Sequence, residues 1–221
     1  MSIWEKTFAS RTWGEYPPEE LVRIVKNHTK DIKKRTKCLE LGCGPGANAG
    51  LLIESYTEYH AIDISETAIK KLSTRYTISD KRNLVVGDFK KLPWSDNTFD
   101  FVCDNFSLYA NTTENIDLAI KETARVLVQG GLFYSRLWGD KCYGLEEKFR
   151  VGEHTYDNLQ SGPCAGFGVS TFTNEKMIKN MFSKELEIEY IQRICRNYIN
   201  SELEADVERF IEEYIVIAKA K

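Results

Sequence analysis

The 221-residue chain has no long apolar run, no CxxC pair, few prolines and no strong charge of either sign. Each shortage closes off a class of protein. The densest apolar stretch, Tyr214-Ile-Val-Ile-Ala218, is far short of the roughly 20 residues that cross a bilayer, so no membrane partner is expected. Five prolines beside 14 glycines exclude collagen-like and low-complexity chains. Six cysteines (Cys38, Cys43, Cys103, Cys142, Cys164, Cys195) lack metal-ligand spacing and read as reduced thiols, with neither a disulfide framework nor a structural metal. A net charge of −3 gives no general attraction to a phosphate backbone. The one local basic run, Lys30, Lys33, Lys34, Arg35 and Lys37, reads as a solvated approach to the first strand rather than a nucleic-acid patch. The opening segment, Met1-Ser-Ile-Trp-Glu-Lys-Thr-Phe, lacks the basic-then-apolar pattern of a signal peptide, so a cytoplasmic location is expected.

What is present is an ordinary globular composition, 42% hydrophobic and 29% charged, long enough for one sizeable core. A single domain over 1–221 is expected, with an N-terminal helical cap (1–30), a ligand-binding core (37–138), a substrate-side insert (138–182) and a terminal strand pair (186–221). Short apolar runs alternate with helix-like stretches, the pattern of parallel βαβ units and an α/β fold with helices on both sheet faces. Strands are expected at 37–41, 59–64, 83–86, 99–103 and 132–137. Ser65 heads one amphipathic helix, Thr113 a second that stops at Gly130-Gly131, and Thr173 a third through Phe182. Alternation at 186–190 and the dense run 210–218 read as two strands pairing antiparallel at a sheet edge.

The most informative stretch is Leu39-Glu-Leu-Gly-Cys-Gly-Pro-Gly-Ala47, a strand running into a Gly-x-Gly-x-Gly turn. Glycines there let backbone approach a ligand closely at positive φ. Gly42, Gly44 and Ala47 also fit the dinucleotide fingerprint, so the turn alone leaves a nicotinamide oxidoreductase open. Context weighs against it. The Glu40 carboxylate would repel a pyrophosphate and suits a ligand bearing an ammonium and a sulfonium. Asp63, 17 residues after Gly46, ends the second strand where an acid can accept from ribose hydroxyls. Gly87-Asp88-Phe89 offers a carboxylate and a ring after the third strand.

Glu40-Leu-Gly-Cys-Gly-Pro-Gly46, Asp63 and Gly87-Asp-Phe-Lys-Lys-Leu-Pro93 before Phe99-Asp100 resemble, in order and spacing, the class I S-adenosylmethionine-dependent methyltransferases over about residues 37–138. The resemblance implies S-adenosyl-L-methionine as cofactor and a Rossmann-like, seven-stranded mixed sheet with its last pair antiparallel. It implies that Glu40, Gly42, Cys43, Gly44 and Gly46 face the methionine part. Asp63 with the neighbouring Ile64 would meet the ribose, Asp88 with Phe89 the adenine, and Asn105 with Phe106 would lie beneath the sulfonium. Trp13-Gly-Glu-Tyr-Pro17 before a helix is similar, more loosely, to bacterial small-molecule methyltransferases.

Methyl transfer from sulfur is an in-line displacement that needs alignment and a dry site but no protein nucleophile. Trp4, Phe8, Trp13 and Tyr16 could form an N-terminal lid over such a site, Trp13 and Tyr16 meeting the substrate, while Trp4 and Phe8 could instead pack a helix onto the sheet. A hydroxyl acceptor calls for a base, for which His154 is the candidate, with Tyr109 after the fourth strand and Tyr143 and Tyr156 in the insert as substrate-orienting groups. His28 and His60 read as structural. The stretch Asp104-Asn-Phe-Ser107 lacks the Pro-Pro-aromatic run of amino-methylating DNA enzymes, and Gly162-Pro-Cys164 is misplaced for a cytosine-methylating nucleophile. The expected reaction is therefore methylation of a small molecule, at a hydroxyl. N-methylation of a small amine, nicotinamide redox chemistry and a non-catalytic cofactor-binding subunit stand as alternatives. Oligomeric state is not legible.

Overall fold

A computed structural model describes residues 2–30, 36–78, 80–198 and 209–221. Lys33, Lys34 and Arg35 of the basic run lie outside the described residues. Seven strands form one mixed sheet: β1 (Lys37–Leu41), β2 (Glu58–Asp63), β3 (Leu84–Val86), β4 (Phe99–Asn105), β5 (Leu127–Trp138), β8 (Leu186–Tyr198) and β9 (Arg209–Ala220). Their order is β3-β2-β1-β4-β5-β9-β8. The first five run parallel, and β9 enters between β5 and β8, antiparallel to both. A two-stranded ladder, β6 (Thr155–Tyr156) with β7 (Ser170–Thr171), stands apart in the insert.

Helices cover both faces because each has one apolar stripe. Leu21 and Val25, one turn apart on α2 (Glu19–Thr29), are fully buried with Leu52 of α3 (Ala49–Ser55) and Leu72 of α4 (Glu66–Arg75) on one face. The other face takes Ile116 and Ile120 of α5 (Thr113–Val126) with Ile178 and Phe182 of α6 (Glu175–Phe182). Burying each such side chain stabilises the fold by about 1.5–3 kcal/mol. The central strands β1, β2 and β4 are buried almost throughout because both faces are covered. Among the described residues, no helix is long and apolar enough to cross a membrane.

The main differences from expectation are at element ends. Ser65 caps α4 as expected, but Thr112 rather than Thr113 caps α5, and Asn174 rather than Thr173 caps α6. In both, the neighbouring residue also carries an oxygen that can cap, so the sequence leaves a one-residue choice. Helix α5 ends at Val126, not at the glycine pair. Leu127 already pairs with Phe99, and Gly130-Gly131 form an irregularity inside β5, with Gly130 at φ +73°. Strands β8 and β9 are also longer than expected, because the two pair with each other along their full length.

Helix α1 (Ile3–Ser10) lies against α4 rather than on the sheet. Ser2 caps it by accepting from the Glu5 amide at 3.0 Å. The Glu5 carboxylate accepts from the hydroxyl of Ser65 and from the amide of Thr67, at the N-terminus of α4. There it satisfies amides that the helix leaves unpaired and meets the positive end of the dipole. The two hydroxyls of Ser65 and Thr67 hold this carboxyl below the usual range. Further along α4, Lys71 donates to the Phe8 carbonyl, so α1 is fastened at both ends.

Candidate active site

The site lies at the carboxyl ends of β1 to β5, where strand order reverses between β1 and β4, the usual ligand crevice of open α/β sheets. Its floor begins with the glycine turn. Gly42 sits at φ +57°, and a Cβ there would come within 2.2 Å of the Ser107 Cβ, so only glycine fits. The turn is tied to β2: the Cys43 amide donates to the Ile62 carbonyl at 3.2 Å, and the Gly44 amide to the Asp63 carboxylate at 2.8 Å. The other oxygen of Asp63 accepts from the Ser65 amide at 2.8 Å. Burial pushes the Asp63 carboxyl up, against the pull of these two amides.

Beneath the turn runs a buried polar chain. Glu40 accepts from the Tyr59 hydroxyl at 2.5 Å and from the Asn48 amide nitrogen at 2.9 Å. The Asn48 oxygen in turn accepts from the Asn105 amide nitrogen at 3.3 Å. Both asparagine nitrogens thus point toward Glu40. The Asn105 Oδ1 is left buried with no partner. Burial raises the Glu40 carboxyl to about 7 despite the two bonds it accepts.

Beyond β3, the Gly87 amide donates to the Asp63 carbonyl at 2.9 Å, and Asp88 is half-exposed, accepting from the Lys90 amide and pairing with its ammonium at 3.1 Å. Beyond β4, Phe106 takes φ +61°, rare for an aromatic. That conformation lets its ring stack on Trp138 at 4.0 Å, with the Arg136 guanidinium 4.9 Å from its centroid. Tyr109 meets both rings edge-on, and burial raises its hydroxyl well above the ordinary range.

Over this floor lies an aromatic roof. Trp4 and Phe8 of α1, Trp13 after it, and Phe167 of the insert lie with ring centroids 5.1–6.1 Å apart, Trp4 stacking on Phe167 at 5.3 Å. Floor and roof enclose about 370 Å³.

Of the residues expected from sequence, Gly42, Cys43, Gly44, Asp63, Ile64, Asp88, Phe89, Asn105, Phe106, Tyr109 and Trp13 line this cavity. Glu40 and Gly46 do not. Glu40 stands one layer behind, reaching the cavity only through Asn48, and Gly46 at φ +92° faces Leu72 and Tyr76. Trp4 and Phe8 both line the cavity, on a helix that lies against α4 rather than on the sheet.

His154, Tyr16, Tyr143 and Tyr156 lie outside the lining. The His154 ring is 3.9 Å from Glu153, and its carbonyl pairs with the Phe172 amide. Tyr16 is 83% exposed, Tyr143 lies by Arg209 near β9, and Tyr156 packs edge-on against Phe172. His28 bonds the Tyr56 hydroxyl and His60 packs between Trp94 and Phe99, both away from the site. The reading missed Asn48, Ser107, Trp138 and Phe167, which line the cavity. Trp138 ends β5 at the same sheet edge as the other strand-end residues, a signal that strand counting could have supplied. Phe167 sits in the Gly162-to-Gly168 loop and carries no periodic signal.

A methyltransferase-domain family matches residues 39–135. A malonyl-[acyl-carrier protein] O-methyltransferase of Methylococcus capsulatus is 34% identical over 106 residues, 47% of this chain and 38% of that protein. A sterol 24-C-methyltransferase of Gibberella zeae is 32% identical over 117 residues, 50% of this chain and 30% of that one. The matches thus span less than half of these relatives' lengths. A solved S-adenosylmethionine-dependent methyltransferase from Methanosarcina mazei shares the fold, with a TM-score of 0.67, 21% identity, and 94% and 98% of the two chains covered. Motif order, strand order and the matched segment agree: residues 39–135 match a methyltransferase domain, and the fold is similar to that of S-adenosylmethionine-dependent methyltransferases.

Proposed function

We propose that the chain transfers a methyl group from S-adenosyl-L-methionine to a small molecule, at an oxygen that is already ionised. The observation that carries the reading is the cavity itself, a glycine floor with two strand-end carboxylates under an aromatic roof. The residues suit the cofactor. The lining carries Asp63 and Asp88 against Lys90, which Asp88 already pairs, a balance that favours a cation over a pyrophosphate. The unpartnered Asn105 oxygen offers an acceptor to an N–H or O–H group, and Gly42, which packs too closely on Ser107 to carry a side chain, leaves turn backbone facing the cavity.

When bound, S-adenosylmethionine supplies a methyl group on positively charged sulfur. The chain's work is to bind, align and exclude water. Glycine-turn backbone, Asn48 and Asn105 hold one end, and Asp63 with Asp88 and Phe89 the other. Phe106, fixed on Trp138, and the four roof rings keep the reacting centre dry, which favours a step that disperses charge. The acceptor's ionisation follows from the lining: no histidine is in it, Asp63 is held by two amides, Asp88 by Lys90, and burial keeps Tyr109 protonated. A carboxylate acceptor, already ionised at neutral pH, needs no further base. The O-methyltransferase named above gives this acceptor class a precedent among similar sequences.

The test is transfer of label from methyl-labelled S-adenosylmethionine into a size-fractionated extract of the producing cells, comparing the protein with Gly44→Val. Label in the small-molecule fraction only with the intact protein is expected. Label confined to protein or RNA would overturn the substrate class, and a methyl found on nitrogen or carbon of the product would overturn the acceptor.

A further inference from the structure

Behind the roof is a second cleft, about 400 Å³, between the segment 9–15 and helix α4. Pro45 of the glycine turn forms its inner wall, and Trp13 lines both this cleft and the main cavity. Three cations converge on it from two elements, Arg11 on the roof segment with Lys71 and Arg75 on α4, against the one carboxylate of Glu15. Ser10 and Thr12 add hydroxyls.

The three cations are not equally engaged. Lys71 holds the Phe8 carbonyl, and Arg75 holds the Glu15 carbonyl at 3.1 Å and its carboxylate at 3.6 Å. Both thus clamp the roof segment onto α4 through its main chain. Arg11 meets only the face of the Phe167 ring, at 5.7 Å, and among the described residues it pairs with no carboxylate. Its planar fork of donors is therefore free, in a concave polar site that already carries an excess of positive charge.

We propose that this cleft binds an oxyanion, a phosphate or carboxylate group, and that its occupancy holds the aromatic roof over the main cavity. An anion bridging Arg11 to Lys71 and Arg75 ties the residues just after α1 to α4. It thereby fixes Trp13 and Phe167, the two roof rings that no helix holds. The anion is either a free ion or an acidic group on the methyl acceptor, since Trp13 is the shared wall. The binding of the anion is read directly and stands apart from the methyl-transfer reading; only the choice between its two sources rests on that reading.

The experiment titrates inorganic phosphate into the whole protein at constant ionic strength, following tryptophan emission, with chloride as control. Expected is a saturable change that Arg11→Gln weakens roughly tenfold and that Arg11→Lys, which keeps the charge but not the planar fork, restores only in part. No saturable change, or one of equal midpoint in Arg11→Gln, would overturn the site. Circular dichroism and the melting temperature of each variant separate lost binding from lost folding. The two sources are distinguished in the extract assay. Phosphate that competes with the acceptor places the anion on the acceptor, and phosphate that leaves acceptor affinity unchanged while tightening S-adenosylhomocysteine binding identifies a separate ion. Phosphate that binds but alters neither would overturn the link to the roof.

Discussion

The floor and the roof of the cavity are built on different principles. The floor is backbone: amides of Cys43, Gly44, Ser65 and Gly87 are locked to β2 by bonds of 2.8–3.2 Å, and the side chains that matter there are short and polar. The roof is side chain: Trp4, Phe8, Trp13 and Phe167 come from segments up to 163 residues apart and meet through ring faces and edges. A floor of this kind fixes the geometry of a ligand common to many enzymes. A roof of this kind can change without disturbing the sheet, so differences in acceptor belong there.

The largest expected effect is on the floor's own integrity. Gly42→Ala combines positive φ with a 2.2 Å overlap on Ser107 and should cost about 3 kcal/mol of stability, while Gly44→Ala, whose Cβ would meet Phe8 at an ordinary 3.4 Å, should cost about 1 kcal/mol. Denaturant midpoints of the two would read this, and equal losses would contradict the close approach.

Next comes pH. Glu40 binds its proton more tightly in the folded protein than in the unfolded chain, so its contribution to stability is full below the ordinary carboxyl range and is lost as pH rises to about 7. The loss is on the order of 3 kcal/mol. In Glu40→Gln, whose amide can keep both partners, the difference in stability from wild type should grow in the variant's favour across that window. A difference that stays flat with pH would contradict the raised carboxyl.

The roof should respond in turnover rather than in fold. Phe167→Ala is expected to lower the rate about tenfold while cofactor affinity stays within about threefold, because alignment and exclusion of water suffer and the floor remains. A larger loss of affinity than of rate would make the roof part of the cofactor site. The smallest effect belongs to Tyr16→Ala, within about 0.5 kcal/mol in stability and with unchanged turnover, since this ring is exposed and outside the cavity.

The same contrast explains what the sequence made legible. Glu40 to Gly46, Asp63 and Asp88 are fixed by chain-local demands, a positive φ, a strand end or a turn, so their spacing announces them. The α/β class follows from the alternation of βα units, and the edge pair β8–β9 from two late apolar runs. His154, Tyr143 and Tyr156 were singled out for their chemistry in an insert without periodicity, and their positions depend on how that insert folds around β6 and β7. Phe167 and Trp138 became site residues through tertiary packing that no local pattern encodes. Glu40 shows a subtler limit: its type and place were readable, but its action through Asn48 was not.

The central claim is that the floor binds S-adenosylmethionine through the turn that Asp63 holds. Titration calorimetry with S-adenosylhomocysteine and, separately, NAD, on wild type and Asp63→Ala, tests it most directly. The account expects one saturable S-adenosylhomocysteine site, weakened about tenfold or about 1.4 kcal/mol in the variant, and no NAD binding. Tighter binding of NAD, or unchanged S-adenosylhomocysteine affinity in a folded Asp63→Ala, would contradict it.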